Sequence, residues 1–332
     1  MNKVFIIAEA GVNHNGSLDL AYRLCDAAKE ANVDAVKFQT WKTEKAVSKK
    51  VALADYQEKN IGSNESQYEM LKRLELSYYN FELLKKHCDT IGIQFLSTPD
   101  TLEDVDFLIG LGMPIQKIGS GDITNIPLLR GIGQRNQRVI LSTGMSTLTD
   151  VERAYNTLVE SGAKEVSLLH CTTNYPCPYN EVNLRAMHTL QTAFKCKVGY
   201  SDHTLGIEVP VAAVAMGAEI IEKHFTLDRT MDGPDHKASL EPSELKQMVT
   251  SIRNIEVALG DGVKRPNKSE QLISEVVLKR IVAQTTIKKG EIFDSHNLYI
   301  IRNSEGIPAK YWDLIEGRPA SRDYQIGEPI EF

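Results

Sequence analysis

The sequence has few cysteines, and they suggest no disulfide framework. Five cysteines are scattered through 332 residues, and no two of them form a Cys-x-x-Cys pair. An odd number of scattered thiols is typical of a reducing compartment rather than of a disulfide-stabilised secreted protein. The apolar run after Met1 is also too short for a secretory signal peptide. Together these features predict a cytoplasmic protein.

The sequence also lacks a long apolar run and an excess of positive charge. Its longest apolar stretch, Ile207–Ile221, contains Glu208, Pro210 and Glu219, so no membrane span is predicted. The formal net charge of −6 argues against nucleic acid or an anionic membrane as the main partner. Hydrophobic residues make up 42% of the chain, which is enough for a full core.

What the chain does contain is a repeated unit, a short apolar strand that ends in residues able to do chemistry. Eight such strands end at or near Glu9, Lys37, Thr98, Ser120, Thr143, Thr172, His203 and His224. Continuous apolar strands are typical of a parallel sheet buried on both faces. Amphipathic helices alternate with them at Leu18–Ala31, Thr101–Leu111, Leu148–Ser161, Gly206–Met216 and Pro242–Leu259. The pattern predicts an α/β fold, a (β/α)₈ TIM barrel, with its site at the carboxyl ends of the strands.

Two departures from this rhythm define the predicted domain organisation. We assign residues 1–265 to the catalytic barrel, 266–280 to a linker and 281–332 to a small β-rich domain with frequent turn signals. A piece of about 55 residues without disulfides is marginally stable alone, so it should pack against a barrel, its own or a partner's. The connection Thr40–Ile91 is about twice as long as the others. We expect an insertion that could act as a lid, with helical stretches around Val47–Glu58 and Gln67–Leu74.

Two histidines end neighbouring strands of the predicted barrel. His203 and His224 follow the seventh and eighth strands, where two imidazoles can share one divalent cation and leave positions open for water and substrate. The alternative is that residues around His203 only cap the next helix. The matched positions, with acids beside both histidines, favour the metal site.

Lysines and hydroxyl groups at the same end of the barrel indicate an anionic ligand. Lys37 and Lys117 end the second and fourth strands, and a lysine in a barrel mouth is costly to desolvate without an anion, unless it is simply a solvated charge at the rim. The turns at Ser120 and Ser142 contain glycine and can expose backbone N–H groups. Together with Thr98 and Ser201, they predict a phosphorylated or carboxylated ligand.

Acidic and aromatic residues complete the predicted rim. The acids are Glu9, Asp122, Asp202, Glu222 and Asp235. Some of them should move a proton or hold sugar hydroxyls, and others should orient the histidines or pair with lysines. Tyr175 and Tyr179 follow the sixth strand, either as walls that stack on a sugar or as anchors of their loop.

These residues occur in motifs that resemble one family. The motifs are Glu9-Ala-Gly-Val-Asn-His14-Asn-Gly16, Lys37-Phe-Gln39-Thr, Leu96-Ser-Thr98-Pro, Lys117-Ile-Gly-Ser120-Gly-Asp122, Leu141-Ser-Thr-Gly-Met145, Gly199-Tyr-Ser-Asp-His203-Thr, Glu222-Lys-His224-Phe-Thr and Gly233-Pro-Asp235. In this order they resemble the nonulosonic (sialic) acid synthases. Ile287-Lys-Lys-Gly290-Glu and Asn297-Leu-Tyr-Ile-Ile-Arg302 resemble the antifreeze-like, or SAF, domain of that family.

The resemblance implies a transferase that condenses phosphoenolpyruvate with an N-acetylated mannosamine-type sugar. It implies Mn²⁺ or Mg²⁺ on His203 and His224, and phosphoenolpyruvate on Lys37, Thr98, Lys117, Ser120, Ser142 and Ser201. Glu9, Gln39, Asn174, Tyr175 and Asp235 would lie near the sugar, and Asp122, Glu9, Lys117 and Lys37 would carry the chemistry. It also implies a homodimer with swapped SAF domains, in which Arg302 reaches the sugar in the partner's barrel.

Two positions depart from the family pattern. Many bacterial members have glutamate where this chain has Asp122, and Arg302 is usually followed by Pro-Gly-x-Gly rather than by Asn303-Ser-Glu-Gly306. The segments Lys37–Lys42 and Gly233–Pro242 resemble the legionaminic acid synthases, which implies a sugar without a 6-hydroxyl and with a second N-acetyl group. The alternatives are N-acetylneuraminate synthesis, another phosphoenolpyruvate-condensing 3-deoxy sugar acid synthase, or a carbohydrate-binding protein with an inactive barrel.

Overall fold

The computed structural model describes residues 3–54, 57, 58, 60 and 65–332. It divides into two compact units between Gly260 and Asp261. The segment 266–280, expected as a linker, contains a helix over Lys268–Val277. Asn267 caps that helix through a reciprocal pair of hydrogen bonds with Glu270, which satisfies the first free N–H groups of the helix.

The first unit is a barrel of eight parallel strands. The strands are β1 (Phe5–Gly11), β2 (Ala35–Thr40), β3 (Gln94–Pro99), β4 (Ile115–Ile118), β5 (Arg138–Ser142), β6 (Glu165–Cys171), β7 (Val198–Asp202) and β8 (Ile220–His224). They pair in the order β3-β2-β1-β8-β7-β6-β5-β4, and β3 also lies beside β4, which nearly closes the barrel. The predicted fold class is confirmed.

Helices lie around the barrel and also form part of the insertion after β2. They are α1 (Leu18–Glu30), α2 (Thr43–Ala46), α3 (Gln67–Leu74), α4 (Tyr78–Ile91), α5 (Leu102–Gly110), α6 (Ile126–Gln134), α7 (Leu148–Glu160), α8 (Ala186–Phe194), α9 (Glu208–Ala215) and α10 (Pro242–Ala258). Each predicted amphipathic segment is a helix, with its apolar side in one continuous core. No helix in the described ranges has both the length and the apolar character needed to cross a bilayer.

The long connection after β2 contains both an insertion and a regular barrel helix. Helix α4 packs on α1, with Cys25 Sγ 3.5 Å from Cys88 Sγ, so it belongs to the barrel. The predicted helix around Val47–Glu58 is wrong for residues 47–54, which are not helical. Val47 is extended immediately after α2, as is typical of a β-branched residue. Gln57 and Glu58 are helical, and residues 55 and 56 lie outside the described residues.

The second unit has its own small core. After α11 (Lys268–Val277), strands β9 (Lys279–Ala283) and β10 (Leu298–Arg302) pair antiparallel, and α12 (Trp312–Ile315) follows. Isolated bridges such as Ile287–Tyr324 extend this pairing. Apolar residues including Phe293, Leu298 and Tyr324 are buried together. The unit therefore folds around apolar contacts without a disulfide.

Candidate active site

Strand register brings the predicted site residues to one level of the barrel. Glu9 on β1 is paired with Lys37 on β2 and with His224 on β8. Ser201 on β7 is paired with Glu222 on β8. Since the strands are parallel, these side chains meet at the carboxyl ends, where they line a cavity of about 270 Å³.

Most of the predicted site residues line this cavity, and three do not. Those that do are Glu9, Lys37, Gln39, Thr98, Lys117, Ser120, Asp122, Ser142, Tyr175, Ser201, His203 and His224. Asn174 is exposed on the loop after β6. Asp235 is buried just outside the lining, with Oδ2 3.8 Å from His224 Nδ1. Arg302 is exposed at the end of β10, in the second unit.

Two buried lysines and two buried carboxylates form the charged centre of the cavity. Lys37 Nζ is 2.7 Å from Glu9 Oε2 and 3.8 Å from Glu222 Oε2, and Lys117 Nζ is 3.3 Å from Glu222 Oε1. Each lysine also donates to a hydroxyl group. Thr98 Oγ1 lies 2.9 Å from Lys37 Nζ, and Ser142 Oγ lies 2.7 Å from Lys117 Nζ. The lysines are therefore held in place by neighbours on four different strands.

The two carboxylates respond differently to this environment. Burial raises the pKa of Glu9 to about 7, although Lys37 opposes the shift. Burial would raise the pKa of Glu222 too, but Lys117 and Lys37 together hold it below its ordinary value. Burial, to which the charge of Glu222 adds, therefore favours the protonated form of Glu9, whereas the two lysines favour the ionised form of Glu222.

The two histidines face the same cavity as neutral imidazoles. The ring centroids of His203 and His224 are 5.4 Å apart. Burial lowers the pKa of both rings. His203 Nδ1 lies 2.6 Å from the carbonyl oxygen of Thr172, which fixes that nitrogen as the donor and leaves Nε2 with a free lone pair. His224 Nδ1 is buried and has no hydrogen-bond partner in the described part of the chain.

The ring of Tyr175 closes the cavity beside the histidines. Its centroid is 4.2 Å from that of His203 and 5.4 Å from that of His224. Tyr179 instead is 60% exposed and donates its hydroxyl to the carbonyl of Leu205. Of the two alternatives for these tyrosines, Tyr175 forms a wall of the cavity and Tyr179 anchors its loop.

Asp235 is placed by contacts with the loop after β1. Asn13 Nδ2 donates to Phe225 O at 2.8 Å and to Ser239 Oγ at 3.0 Å, and that hydroxyl donates to Asp235 O. Asn15 Nδ2 donates to the carbonyl of Asp232. Asn13 and Asn15 therefore hold the loop after β8, and burial raises the pKa of Asp235 to about 6.

Ser120 and Asp122 occupy one short turn after β4. Ser120–Asp122 form a 3₁₀ turn, and burial raises the pKa of Asp122. The backbone N–H of Gly144 donates to Ser120 Oγ at 3.0 Å. A Cβ at Gly144 would come within 2.8 Å of that oxygen, so only glycine fits. Gly144 lies in the turn after β5, so this backbone N–H, which the sequence predicted to be exposed, instead donates to a side chain.

Sequence reasoning did not assign several residues that line the cavity. The sequence placed Glu222 among the acids of the rim but assigned it no role in the site, yet its carboxylate lies within salt-bridge distance of both lysines. Trp41, Ala46 and Leu71 also line the cavity. Trp41 follows Lys37 and Gln39 in steps of two, which places all three on one face of the strand direction. That periodicity could have identified Trp41 from the sequence. Leu71 comes from a helix of the insertion, and its place in the cavity follows no such period.

The fold and the cavity together define a TIM-barrel enzyme whose site combines cationic, acidic and imidazole groups. The model of the NeuB family matches residues 24–264, and that of the SAF domain matches residues 280–332. The chain belongs to the NeuB family and carries a SAF domain. The predicted resemblance is confirmed.

The relatives cover nearly the whole chain. It is 51% identical over 332 residues to N,N'-diacetyllegionaminic acid synthase of Campylobacter jejuni, with 99% of each chain covered. It is 47% identical to the Legionella pneumophila enzyme of the same name, covering 98% of this chain and 93% of that one. The crystal structure of a sialic acid synthetase from Leptospira borgpetersenii aligns with a TM-score of 0.73 and 39% identity, covering 82% of this chain and 91% of that one.

Proposed function

We propose that this enzyme condenses phosphoenolpyruvate with an N-acetylated mannosamine-type sugar and releases phosphate. The product is a nine-carbon 2-keto acid, N,N'-diacetyllegionaminate, made from 2,4-diacetamido-2,4,6-trideoxymannose. The main support is one cavity in which Lys37 and Lys117 lie beside the neutral imidazoles of His203 and His224. The full-length identity of 51% to a synthase of that name supports the choice of sugar.

The lysine end of the cavity suits the phosphate and carboxylate of phosphoenolpyruvate. Lys37 and Lys117 each donate to a hydroxyl neighbour, so Thr98 and Ser142 orient both ammonium groups. Ser120 and Ser201 add hydroxyl groups to the same lining. An entering anion would share the lysines with Glu9 and Glu222, and the charge-assisted hydrogen bonds would fix its orientation.

The histidine end suits a divalent cation, Mn²⁺ or Mg²⁺. The two rings are neutral, they lie close together, and each keeps a nitrogen without a hydrogen-bond partner among the described residues. Within those residues no third His, Cys, Asp or Glu completes a metal cluster, so water or substrate would supply the remaining ligands. The two lysines already pair with Glu9 and Glu222, so a cation would supply the positive charge that an added phosphate and carboxylate call for. The bound cation would act as a Lewis acid on the sugar aldehyde.

Residues around the histidines would hold the open-chain sugar. Gln39 Nε2 donates to Glu9 Oε1 at 3.2 Å, which orients this amide towards the cavity. Tyr175 presents its ring beside the histidines. Asp235 and Asn174 lie just outside the lining and are assigned to the sugar's polar groups. Holding both reactants at near-attack distance is the main contribution of these contacts to the rate.

The reaction needs one carbon–carbon bond, one water and one leaving phosphate. The enol carbon of phosphoenolpyruvate bonds to the aldehyde carbon, whose oxygen takes up a proton, and Glu9 is suited to donate it because its pKa lies near 7. Positive charge then develops on the carbon that bears the phosphate. We assign Asp122 to stabilise that carbon and to deprotonate the water that adds to it. The C–O bond to phosphate then breaks, the new hydroxyl becomes the 2-keto group, and its proton leaves with the phosphate.

The second unit supports the proposal of a homodimer with swapped SAF domains. Helix α11 exposes a row of apolar side chains, with Leu272 67%, Ile273 57% and Val276 64% exposed. Apolar area of this extent on one helix is typical of a surface that another chain covers. In such a dimer Arg302 would reach the sugar in the partner's barrel.

We place the reaction in the cytoplasm. All five cysteines are free thiols, and the buried pair Cys25 and Cys88 is not bonded although the two sulfur atoms are 3.5 Å apart. Such thiols are typical of a reducing compartment, which supports this location.

Phosphate release from phosphoenolpyruvate tests the proposed reaction. Purified enzyme is assayed with Mn²⁺ and either 2,4-diacetamido-2,4,6-trideoxymannose or N-acetylmannosamine, with and without EDTA. We expect release with the first sugar, weaker release with the second, and loss of both with EDTA that returns when Mn²⁺ is added back. A preference for N-acetylmannosamine would instead identify an N-acetylneuraminate synthase. No release with any mannosamine derivative would overturn the proposed synthase and favour a carbohydrate-binding protein.

A further inference from the structure

The outer part of the catalytic cavity has an apolar wall that comes mainly from the insertion. Trp41, directly after β2, lines the cavity with Ala46 of α2 and Leu71 of α3. The same cavity is also lined by the lysines, acids and histidines. The cavity therefore combines charged groups with one apolar wall.

The wall offers carbon atoms and no free hydrogen-bonding group from Trp41. The indole Nε1–H donates to Thr43 Oγ1 at 3.2 Å. The Thr43 hydroxyl in turn donates to Glu75 Oε2 at 2.6 Å, and the Thr43 backbone N–H donates to the same oxygen at 2.9 Å. Because these polar groups satisfy each other, a ligand atom against the indole meets only its apolar face.

The wall is also held in place. Trp41 packs in a small core with Val12, Met70 and Leu74, against which Ala46 and Leu71 lie partly buried. Helix α3 begins with a reciprocal cap between Ser66 and Glu69. Lys42 and Lys45, which lie next to Trp41 and Ala46 in the chain, both pair with Glu103 of α5. The shape of this surface is therefore set before a ligand binds.

The distance along β2 places the wall beyond the reacting end of a sugar. Lys37, Gln39 and Trp41 follow one face of the strand, and four residues of strand span roughly 13 Å. An aldehyde beside Lys37 and the histidines would thus direct the far end of an open-chain sugar outward, past Gln39 and towards Trp41.

We infer that the wall of Trp41, Ala46 and Leu71 selects a sugar whose end distant from the aldehyde is deoxygenated. This inference rests on the proposed function and assigns the insertion a role in substrate choice. A methyl group at C6 gains contact with carbon there, whereas a 6-hydroxyl loses its hydrogen bonds to water without replacement. A hydrophobic pocket discriminates against one added hydroxyl by at most about 100-fold in kcat/KM.

A matched pair of sugars tests this inference directly. One is the 6-deoxy mannose-configured sugar with acetamido groups at C2 and C4, and the other is its 6-hydroxy counterpart. For the unmodified enzyme we expect kcat/KM to be about 10- to 100-fold higher for the 6-deoxy sugar, with the same KM for phosphoenolpyruvate.

Two variants and one control locate the effect. Leu71→Asn and Ala46→Ser each add a polar group to the wall. Both variants should raise the KM for the 6-deoxy sugar and so reduce the ratio of kcat/KM between the 6-deoxy and 6-hydroxy sugars. Leu53→Asn is the control, because Leu53 packs partly buried against the same small core without lining the cavity. It should leave the preference unchanged. Thermal unfolding of all three variants shows whether each is folded, and two independent wall positions guard against one misfolded variant.

The outcomes separate this inference from the proposed function. Equal use of both sugars by the unmodified enzyme would overturn the inference while leaving the reaction intact. So would a preference that survives both wall variants, or one that Leu53→Asn reduces equally. No phosphate release with either sugar would overturn the proposed function and the inference with it.

Discussion

Glu222 is the residue that allows two lysines to remain buried in one pocket. It lies within salt-bridge distance of both Lys37 and Lys117, and it accepts a hydrogen bond from Ser201 at 3.0 Å. Burial acts to lower the pKa of Lys37, but Glu222 and Glu9 together raise it. For Lys117 burial dominates and the pKa is lowered. Lys117 therefore depends on an anion more than Lys37 does.

Replacing Lys117 should weaken the binding of phosphoenolpyruvate while the barrel stays folded. For Lys117→Met we expect the KM for phosphoenolpyruvate to rise about 100-fold, because a charge-assisted hydrogen bond worth roughly 1.5–3 kcal/mol is lost. Steady-state kinetics at varied phosphoenolpyruvate measures this. Lys164→Met is the control, since Lys164 is exposed on the surface. A KM unchanged by Lys117→Met would remove this lysine from the anion site.

Replacing either histidine should abolish metal binding without unfolding the barrel. His203→Ala and His224→Ala each remove one of two proposed protein ligands, so we expect Mn²⁺ binding in calorimetry to be lost and phosphate release to fall at least about 100-fold. His188→Ala, at an exposed position of α8, is the matched control. Retained Mn²⁺ affinity in both variants would contradict the ligand assignment.

Neighbouring strands β7 and β8 carry site residues on one face and a buried ion pair on the other. Ser201 and Glu222 face the cavity, and the next residues, Asp202 and Lys223, are fully buried with 2.5 Å between Oδ2 and Nζ. Lys223 also donates to the carbonyl of Thr204 at 2.5 Å. This pair therefore ties the chain on both sides of His203 to β8.

Breaking this pair should cost far more than breaking a surface pair. Lys223→Met leaves Asp202 charged in the interior, and we expect the free energy of unfolding to fall by about 3–5 kcal/mol. Lys85→Met is the control, because Lys85 pairs with Asp89, which is 62% exposed. There the loss should be at most about 1 kcal/mol. Urea unfolding measures both free energies. Equal losses would mean that the buried pair stabilises the protein no more than the surface pair does.

Elements with a clear hydrophobic period were predictable, and others were not. All eight predicted strands are present, most of them as continuous apolar runs, and α1, α5, α7, α9 and α10 follow from helical spacing. The pattern does not predict α6 (Ile126–Gln134), because Pro127, Gly131 and Gly133 weaken its helical signal. The structure supports α6 with an Asn125 cap, a proline in its first turn and burial of both glycines. Packing in the barrel overrides local propensity there.

At the scale of the whole molecule, mixing inactive variants tests the swapped dimer. His203→Ala damages the barrel and Arg302→Ala damages the SAF domain, so a swapped heterodimer would contain one intact site. Random reassembly should restore roughly a quarter of the unmodified activity, since half of the dimers are mixed and each has one good site. Phosphate release after co-refolding or co-expression measures this.

The control for this experiment uses two barrel variants. A mixture of His203→Ala with His224→Ala damages every barrel and should stay inactive. If Arg302→Ala alone keeps full activity and an unchanged KM for the sugar, Arg302 has no part in the site. If the mixture of Arg302→Ala and His203→Ala regains no activity although Arg302→Ala alone is impaired, the arginine acts within its own chain.

The sequence by itself determined the parallel barrel, the small second unit and most residues of the cavity. It could do so because strand ends in a parallel barrel share one face, so a linear motif implies a place in space. Only the tertiary structure decided how those residues pair. Glu222 pairs with two lysines, Asp235 lies 3.8 Å from His224, and Trp41 and Leu71 line the same cavity. Such contacts depend on register, side-chain direction and packing between segments distant in the chain, and no local pattern encodes them.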